Sequence, residues 1–241
     1  MRLNLQQIPK VCSIEDPDNI WDHLAPKDSI QFFWLGIQPY MPIWKLQKEL
    51  HEKRIAGEIT DVVLLLEHYH VYTFGKNADK NHLLDSKPKN TEVVQIDRGG
   101  EVTYHGPGQL VGYPIVDLHD YYMSVTWYMR TLESIMIHCL KKFNIKSSAK
   151  PGLAGVWIED EKICAMGVRM SRWVTMHGFA LNLNPDMKYF DGMIPCGIKE
   201  YGVTSLFEQM INIEMHTLVE HIVESFVDLF IKEKNEIQTI L

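Results

Sequence analysis

Cys196 sits between Pro195 and Gly197, and a thiol held between a rigid residue and a small one is placed to act as a nucleophile. Such a thiol needs a lowered pKa or an adjacent base. Three residues could supply one of these: Lys162, which opens a strand-like segment, His105 in a glycine-rich run, and His177 in Trp173-Val174-Thr175-Met176-His177-Gly178-Phe179-Ala180. Each type also has an ordinary role, since a loop cysteine is commonly inert, a strand-opening lysine solvated, and a strand histidine a hydrogen-bonded structural group. Residue type leaves the choice among the three partners open. Cys12, Cys139 and Cys164 form no CxxC pair, and neither they nor the histidines have zinc-ligand spacing, so no metal is expected.

The glycine-rich run is Arg98-Gly99-Gly100-Glu101-Val102-Thr103-Tyr104-His105-Gly106-Pro107-Gly108-Gln109. Gly99 and Gly100 permit positive φ and close backbone approach, residues 102–104 favour an extended strand, and Gly106-Pro107-Gly108 makes a second turn. The run could wrap a ligand, or it could be a plain hairpin. A second candidate pocket wall is His68, His70, Tyr72, Thr73, Phe74, Gly75 and Lys76, read as a loop beyond a strand end, with a strand continuation bearing two solvent-facing histidines as the alternative.

Elements must position these groups. Residues 42–56 carry Ile43, Leu46, Leu50 and Ile55 near helical spacing with Gly57 at the C-cap, and residues 61–67 read as a buried strand. Residues 93–96 lead into the glycine-rich run; residues 110–118 resume strand character, with Pro114 suggesting an edge or a bulge. Ser124 is placed to cap a long helix whose apolar stripe includes Cys139, a core residue on this reading. Residues 156–158 and 162–169 predict a hairpin about Glu159-Asp160-Glu161, continued by residues 173–183. A loop over residues 184–201 carries Cys196, Thr204 or Ser205 caps a short helix, and residues 215–232 form a last helix.

The 241 residues have no repeat, linker or low-complexity tract, and 46% hydrophobic with 23% charged is ordinary globular composition, which predicts one mixed α/β domain over residues 31–241 after an irregular surface extension over residues 1–30. A net charge of -7 argues against non-specific nucleic-acid binding. The apolar runs fall short of a membrane span. A polar start without a secretory core and unpaired cysteines lead to the expectation of a reducing, cytoplasmic setting.

The glycine-rich run, Lys162-Ile163-Cys164-Ala165-Met166-Gly167, His177-Gly178-Phe179-Ala180-Leu181-Asn182 and Pro195-Cys196-Gly197 stand in the order and approximate spacing of the octanoyl-[acyl-carrier-protein]:protein octanoyltransferases, the lipoyl(octanoyl) transferases. The chain resembles that family over residues 31–206. The resemblance implies an α/β fold of the α+β type, a single domain of mixed sheets flanked by helices, like the biotin/lipoate protein ligases. It also implies a Cys196/Lys162 catalytic dyad. Arg98, Gly99, Gly100, Glu101, Val102, Thr103, Tyr104, His105, Ala165, Met166, Gly167, Gly178, Phe179 and Ala180 match acyl-substrate-binding segments. Three departures stand out: Glu101 replaces a frequent Gln, Cys164 replaces a small residue and brings a second thiol to the pocket, and the stretch at His70 lacks the family's prolines.

The activity implied is ping-pong transfer of an octanoyl or lipoyl group from acyl carrier protein, through an acyl thioester on Cys196, to the lysine of lipoyl domains. Acceptors implied are the E2 subunits of 2-oxoacid dehydrogenases and the glycine cleavage H protein. Neither ATP nor metal is needed, and the family resemblance suggests a monomer. Both partners tend to be acidic, so a basic rim including Arg169 and Arg172 is expected. The alternatives are an ATP-dependent lipoate or biotin ligase on the same fold, which would use Lys162 without Cys196, and a noncatalytic acyl-binding module.

Overall fold

The computed structural model describes residues 9–24, 30–76, 78–89, 91–194 and 201–231. Cys196, with residues 195–200, lies outside the described residues, as do residues 1–8 and 25–29 of the predicted extension.

The larger sheet contains β1 (Val11–Ser13), β2 (Gln31–Gln38), β3 (Val62–His68), β7 (Gln109–Ile115), β11 (Val174–Asn182), β10 (Glu161–Ser171), β9 (Leu153–Ile158) and β8 (Ser148–Lys150), in that spatial order, with β12 (Gly202–Val203) paired to β10. A smaller sheet has the order β5 (Glu92–Gln95), β4 (Val71–Phe74), β6 (Thr103–His105). β1, β2 and β3 run parallel, while β3, β7, β11, β10, β9 and β8 alternate antiparallel.

Both faces of the large sheet are covered, which is why β3 reads as an unbroken apolar run rather than an alternating one. Val62, Leu64 and Leu66 pack on the side of α1 (Tyr40–Ile55), with Ile43, Leu46 and Leu50. Val63 and Leu65 pack on the opposite side with α2 (Val125–Lys142) and α3 (Met215–Phe226). Ser124 accepts from the Trp127 N–H and caps α2, and Cys139 is fully buried on the stripe of that helix, both as expected.

The structure revises four expectations. β1 pairs with β2, and a 3-10 helix at Pro17–His23 sends Ile20 into the core, so residues 11–23 are built into the fold rather than irregular. The segment from His68 to Phe74 is not a loop: His68 ends β3, Val71–Phe74 forms the middle strand of the small sheet, and His68 is fully buried. Pro114 lies in an interior strand, not at an edge. It is tolerated because β11 leaves the ladder beside it: β7–β11 pairing stops at Gly112, His177 takes φ 61, and Pro114 accepts through its carbonyl from Thr175 Oγ1. Residues 206–210 form turns rather than a helix, with Ser205 Oγ accepting from Glu208 N–H. α3 passes into a π-helical turn at Val227–Ile231.

Candidate active site

The small sheet stands against β10, and the glycine-rich run forms the seam. Arg98 is buried and reaches into β4, donating from Nη2 to the Thr73 carbonyl at 2.8 Å and to Thr73 Oγ1 at 3.0 Å, while Nη1 donates to the Gly99 carbonyl at 3.0 Å. On the other side the Gly99 N–H donates to the Val168 carbonyl at 3.1 Å, so the turn is stitched to β10. Gly100 has φ 87, and a Cβ on Gly75 would overlap the Gly100 carbonyl, so these two backbones meet at a distance only glycine allows.

Two neighbouring cavities lie along this seam. The larger, of about 270 Å3, is walled by Lys162, Ala165 and Met166 from β10, by Gly100, Glu101, Val102 and Thr103 from the run, and by Phe190, Met193 and Val203. The smaller, of about 40 Å3, shares Arg98, Thr103, Ala165 and Met166 with the larger and is otherwise walled by Tyr40, His105, Tyr113, His177, Gly178 and Phe179, with Gly167 and Ala180. The fold thus gathers most of the acyl-segment residues around one space.

Lys162 is not the solvated strand opener that its type suggests. It is 6% exposed, and its Nζ lies 4.6 Å from the centroid of the Trp157 ring. The cause is local: pairing between β9 and β10 shifts register between Lys162 and Cys164, and this bulge turns Lys162 to the cavity while Ile163 and Cys164 both enter the core. Cys164 therefore does not bring a second thiol to the pocket. Burial also pushes its thiol pKa up, which disfavours thiolate.

Tyr104 departs from expectation, and Glu101, on the cavity wall, has a structural role as well. Tyr104 lies behind the cavity wall, fully buried, bonded to His70 Nδ1 at 2.7 Å and stacked on Tyr189 at 4.9 Å between centroids. Glu101 ties the neighbouring loop to the rim, accepting from Asp79 N–H at 3.1 Å and lying 2.9 Å from His82 Nδ1.

The histidines are structural in setting. His105 is buried, with Nδ1 2.8 Å from Gln109 Oε1, and burial, then the neighbouring His68, lower its pKa to about 3. His177 takes φ 61 inside β11, where Gln47 of α1 accepts from its N–H at 3.1 Å and Asp97 lies 3.0 Å from its Nε2. Asp97 also pairs with Arg169 at the surface, where Arg169 stays exposed. The hydrogen bond from His177 is the largest influence lowering the Asp97 pKa, to about 2.

Sequence reasoning missed Gln109 and Asn182 on the larger cavity, although both stand at the ends of quoted motifs, and it missed Phe190 and Met193. The last two come from the 3-10 helix Met187–Gly192 and its C-cap, inside a stretch whose composition reads only as loop. Gln47, buried on a helix, left no signal but an amide among apolar neighbours. Among the described residues no cluster of three or more His, Cys, Asp or Glu is arranged to hold a metal, and no helix is long and apolar enough to cross a membrane.

The family model of the lipoyl protein ligase A/B catalytic domain matches residues 39–227. An octanoyltransferase from Christiangramia forsetii is 44% identical over 218 residues, covering 81% of this chain and 93% of the relative. One from Gloeobacter violaceus is 49% identical over 164 residues, covering 68% and 73%. Among solved structures, the bipartite lipoate protein ligase of Thermoplasma acidophilum superposes with a TM-score of 0.62 at 13% identity, covering 81% of this chain and 82% of its own, a likeness of fold. The cavity, its buried lysine and the glycine-rich seam therefore sit in a chain that belongs to the lipoyl protein ligase A/B catalytic-domain family and, within it, to the octanoyltransferases.

Proposed function

We propose that this protein is an acyltransferase of protein lipoylation that moves an octanoyl group from acyl carrier protein to the lysine of a lipoyl domain through a thioester on Cys196. The observation that carries the reading is Lys162, a buried amine on the wall of a largely apolar cavity that the glycine-rich run closes. Lysine in that position stabilises a nearby thiolate by charge and exchanges protons with an incoming amine. Val102, Met166, Phe190 and Met193 offer apolar surface to an alkyl chain. At about 0.8 kcal/mol per buried CH2, an eight-carbon chain gains several kcal/mol, enough to favour one chain length over much shorter ones.

In the first half-reaction the Cys196 sulfur attacks the thioester carbonyl, the carrier's C–S bond breaks, and the carrier thiol leaves with a proton. In the second, the acceptor's ε-amine attacks the new thioester, an amide forms, and the Cys196 thiol is restored with the proton the amine gives up. The first bond made matches the bond broken, so the reaction needs no ATP, and no metal enters it. A tetrahedral oxyanion needs preorganised donors, and of the backbone N–H groups of the glycine-rich run that of Gly99 is already engaged with Val168. The Thermoplasma ligase was described together with its E2 lipoyl domain, which supports a lipoyl domain as acceptor class. The 2-oxoacid dehydrogenase E2 subunits and the glycine cleavage H protein are the acceptors to assay.

The test is intact-mass analysis after incubation with octanoyl-acyl carrier protein and no ATP. The parent gains one octanoyl adduct and Cys196→Ala gains none. Lys162→Ala keeps its fold and acylates roughly 100-fold more slowly or worse, within the range of a lost acid–base group. Transfer that proceeds only with ATP, or at the parent rate in Cys196→Ala, would make the protein a ligase.

A further inference from the structure

A buried chain of side-chain amides links the two cavities, and its direction is fixed at one end. The Thr204 carbonyl can only accept, and Asn182 lies 2.9 Å from it through Nδ2. That orients the Asn182 amide, so its Oδ1 must accept, and it does so from Gln109 Nε2 at 2.9 Å. Gln109 Oε1 is then left as an acceptor, facing His105 Nδ1 at 2.8 Å. The ring nitrogen at that contact therefore carries the proton, and the lone pair of the neutral imidazole falls on Nε2. Amide orientation is ordinarily ambiguous, but a carbonyl anchor removes the ambiguity along the whole chain.

The same anchor touches the lysine. The Thr204 N–H donates to the Lys162 carbonyl at 3.1 Å, just beyond the pairing of Lys162 with Val203 between β10 and β12. Gln109 and Asn182 are themselves register partners across β7 and β11. All four members, His105, Gln109, Asn182 and Thr204, are at most 6% exposed. Buried networks of this kind are stable only when every member is satisfied, and they then hold their parts in one arrangement.

We propose that Gln109 and Asn182 are positioning residues of the transfer site, which hold His105 as the Nδ1–H tautomer and tie its ring to the β10–β12 seam that carries Lys162. This rests on the octanoyl-transfer reading for its functional consequence, though not for the tautomer. His105 is surrounded by His68, Arg98, His177 and the ring of Tyr40, and no carboxylate among the described residues is bonded to it, so the imidazole stays neutral. A neutral ring locked this way accepts a hydrogen bond in the smaller cavity and leaves proton transfer to Lys162.

Gln109→Glu is the informative change. A carboxylate still accepts from His105 Nδ1 but cannot donate to Asn182, and it favours the imidazolium form of His105. Gln109→Met keeps the volume and removes both bonds. Long-range 1H–15N correlation of the histidine rings reads the tautomer directly on the intact chain. The expected result is a neutral Nδ1–H ring for His105 in the parent from about pH 5 to pH 8, an imidazolium signature in that range for Gln109→Glu, and loss of the tautomer lock in Gln109→Met.

In the transfer assay both variants should keep KM for acyl carrier protein within about twofold and lose on the order of 10- to 100-fold in kcat, the scale of a misplaced reacting group. Gln109→Glu should recover part of that loss as pH rises through the new His105 pKa, which Gln109→Met should not. An Nε2–H ring in the parent, or a His105 signature unmoved by both substitutions in chains that still give the parent's overall spectrum, overturns the proposal. A parent with the Nδ1–H ring but no acyl transfer would leave the relay standing and sink the functional reading instead.

Discussion

Residues at this site are constrained less by what they do than by how close their neighbours come. A Cβ on Gly178 would meet the Gly112 carbonyl and the Pro114 ring, across the strand pair that also packs Phe179 over Gly112. Gly178→Ala should therefore force β7 and β11 apart and cost about 1–3 kcal/mol of stability, as overpacked cores do. Urea midpoints for the two proteins check this, and an unchanged midpoint would mean that the strands yield freely. Lys162 and Cys164 show the other side of residue scale, since two positions apart on one strand they have opposite fates. One bulge sends the amine to the cavity and the thiol to the core. Resemblance alone singled out Lys162; nothing in its type distinguished it from a surface lysine.

Among elements, the least expected is the first. Val11–Ser13 extends the large sheet as a parallel strand, and the 3-10 helix after it seats Ile20 among Phe33, Leu35 and Leu50 with no exposed surface. Ile20→Ala should cost about 2–5 kcal/mol, the range for a large buried aliphatic side chain cut to methyl. A loss under about 0.5 kcal/mol, typical of surface positions, would return these residues to the status of a loose extension. Pro17 and Asp16 are the N1 residue and the cap of that short helix, with Asp16 accepting from Asp18 N–H. α1 was legible almost to its ends, because its apolar spacing and the Gly57 stop, at φ 69, are local signals. β4 was not: its partners β5 and β6 come from residues 92–95 and 103–105, and no local pattern announces a strand whose partners lie beyond an intervening loop.

At the scale of the whole molecule, the buried imidazoles predict how stability depends on pH. His68 has its pKa lowered from 6.5 to about 4 and His105 to about 3, both chiefly by burial. Between those values and 6.5 the unfolded chain binds protons that the folded chain refuses, so stability falls as pH drops below about 6.5, by up to about 1.4 kcal/mol per pH unit for each ring. Asp97, lowered to about 2, adds its own loss only below about pH 4, so the windows separate. Denaturant titrations of the parent and of His68→Gln at several pH values check this: the variant should show the shallower slope between pH 6.5 and pH 5, and parallel slopes would mean that His68 titrates normally.

The sequence by itself determined the family, the single mixed α/β architecture of the core and most of the helices, because those rest on motif order, composition and periodicity, which are properties of neighbours along the chain. Only the tertiary structure decided that Lys162 is buried, that Cys164 turns away from the pocket, that Arg169 is paired with Asp97 and that Gln109, Asn182 and His105 form one directed chain. Each of those depends on a register shift or on contacts between segments far apart in sequence, and a bulge of one residue reverses which face a side chain takes without leaving a mark in the residue types.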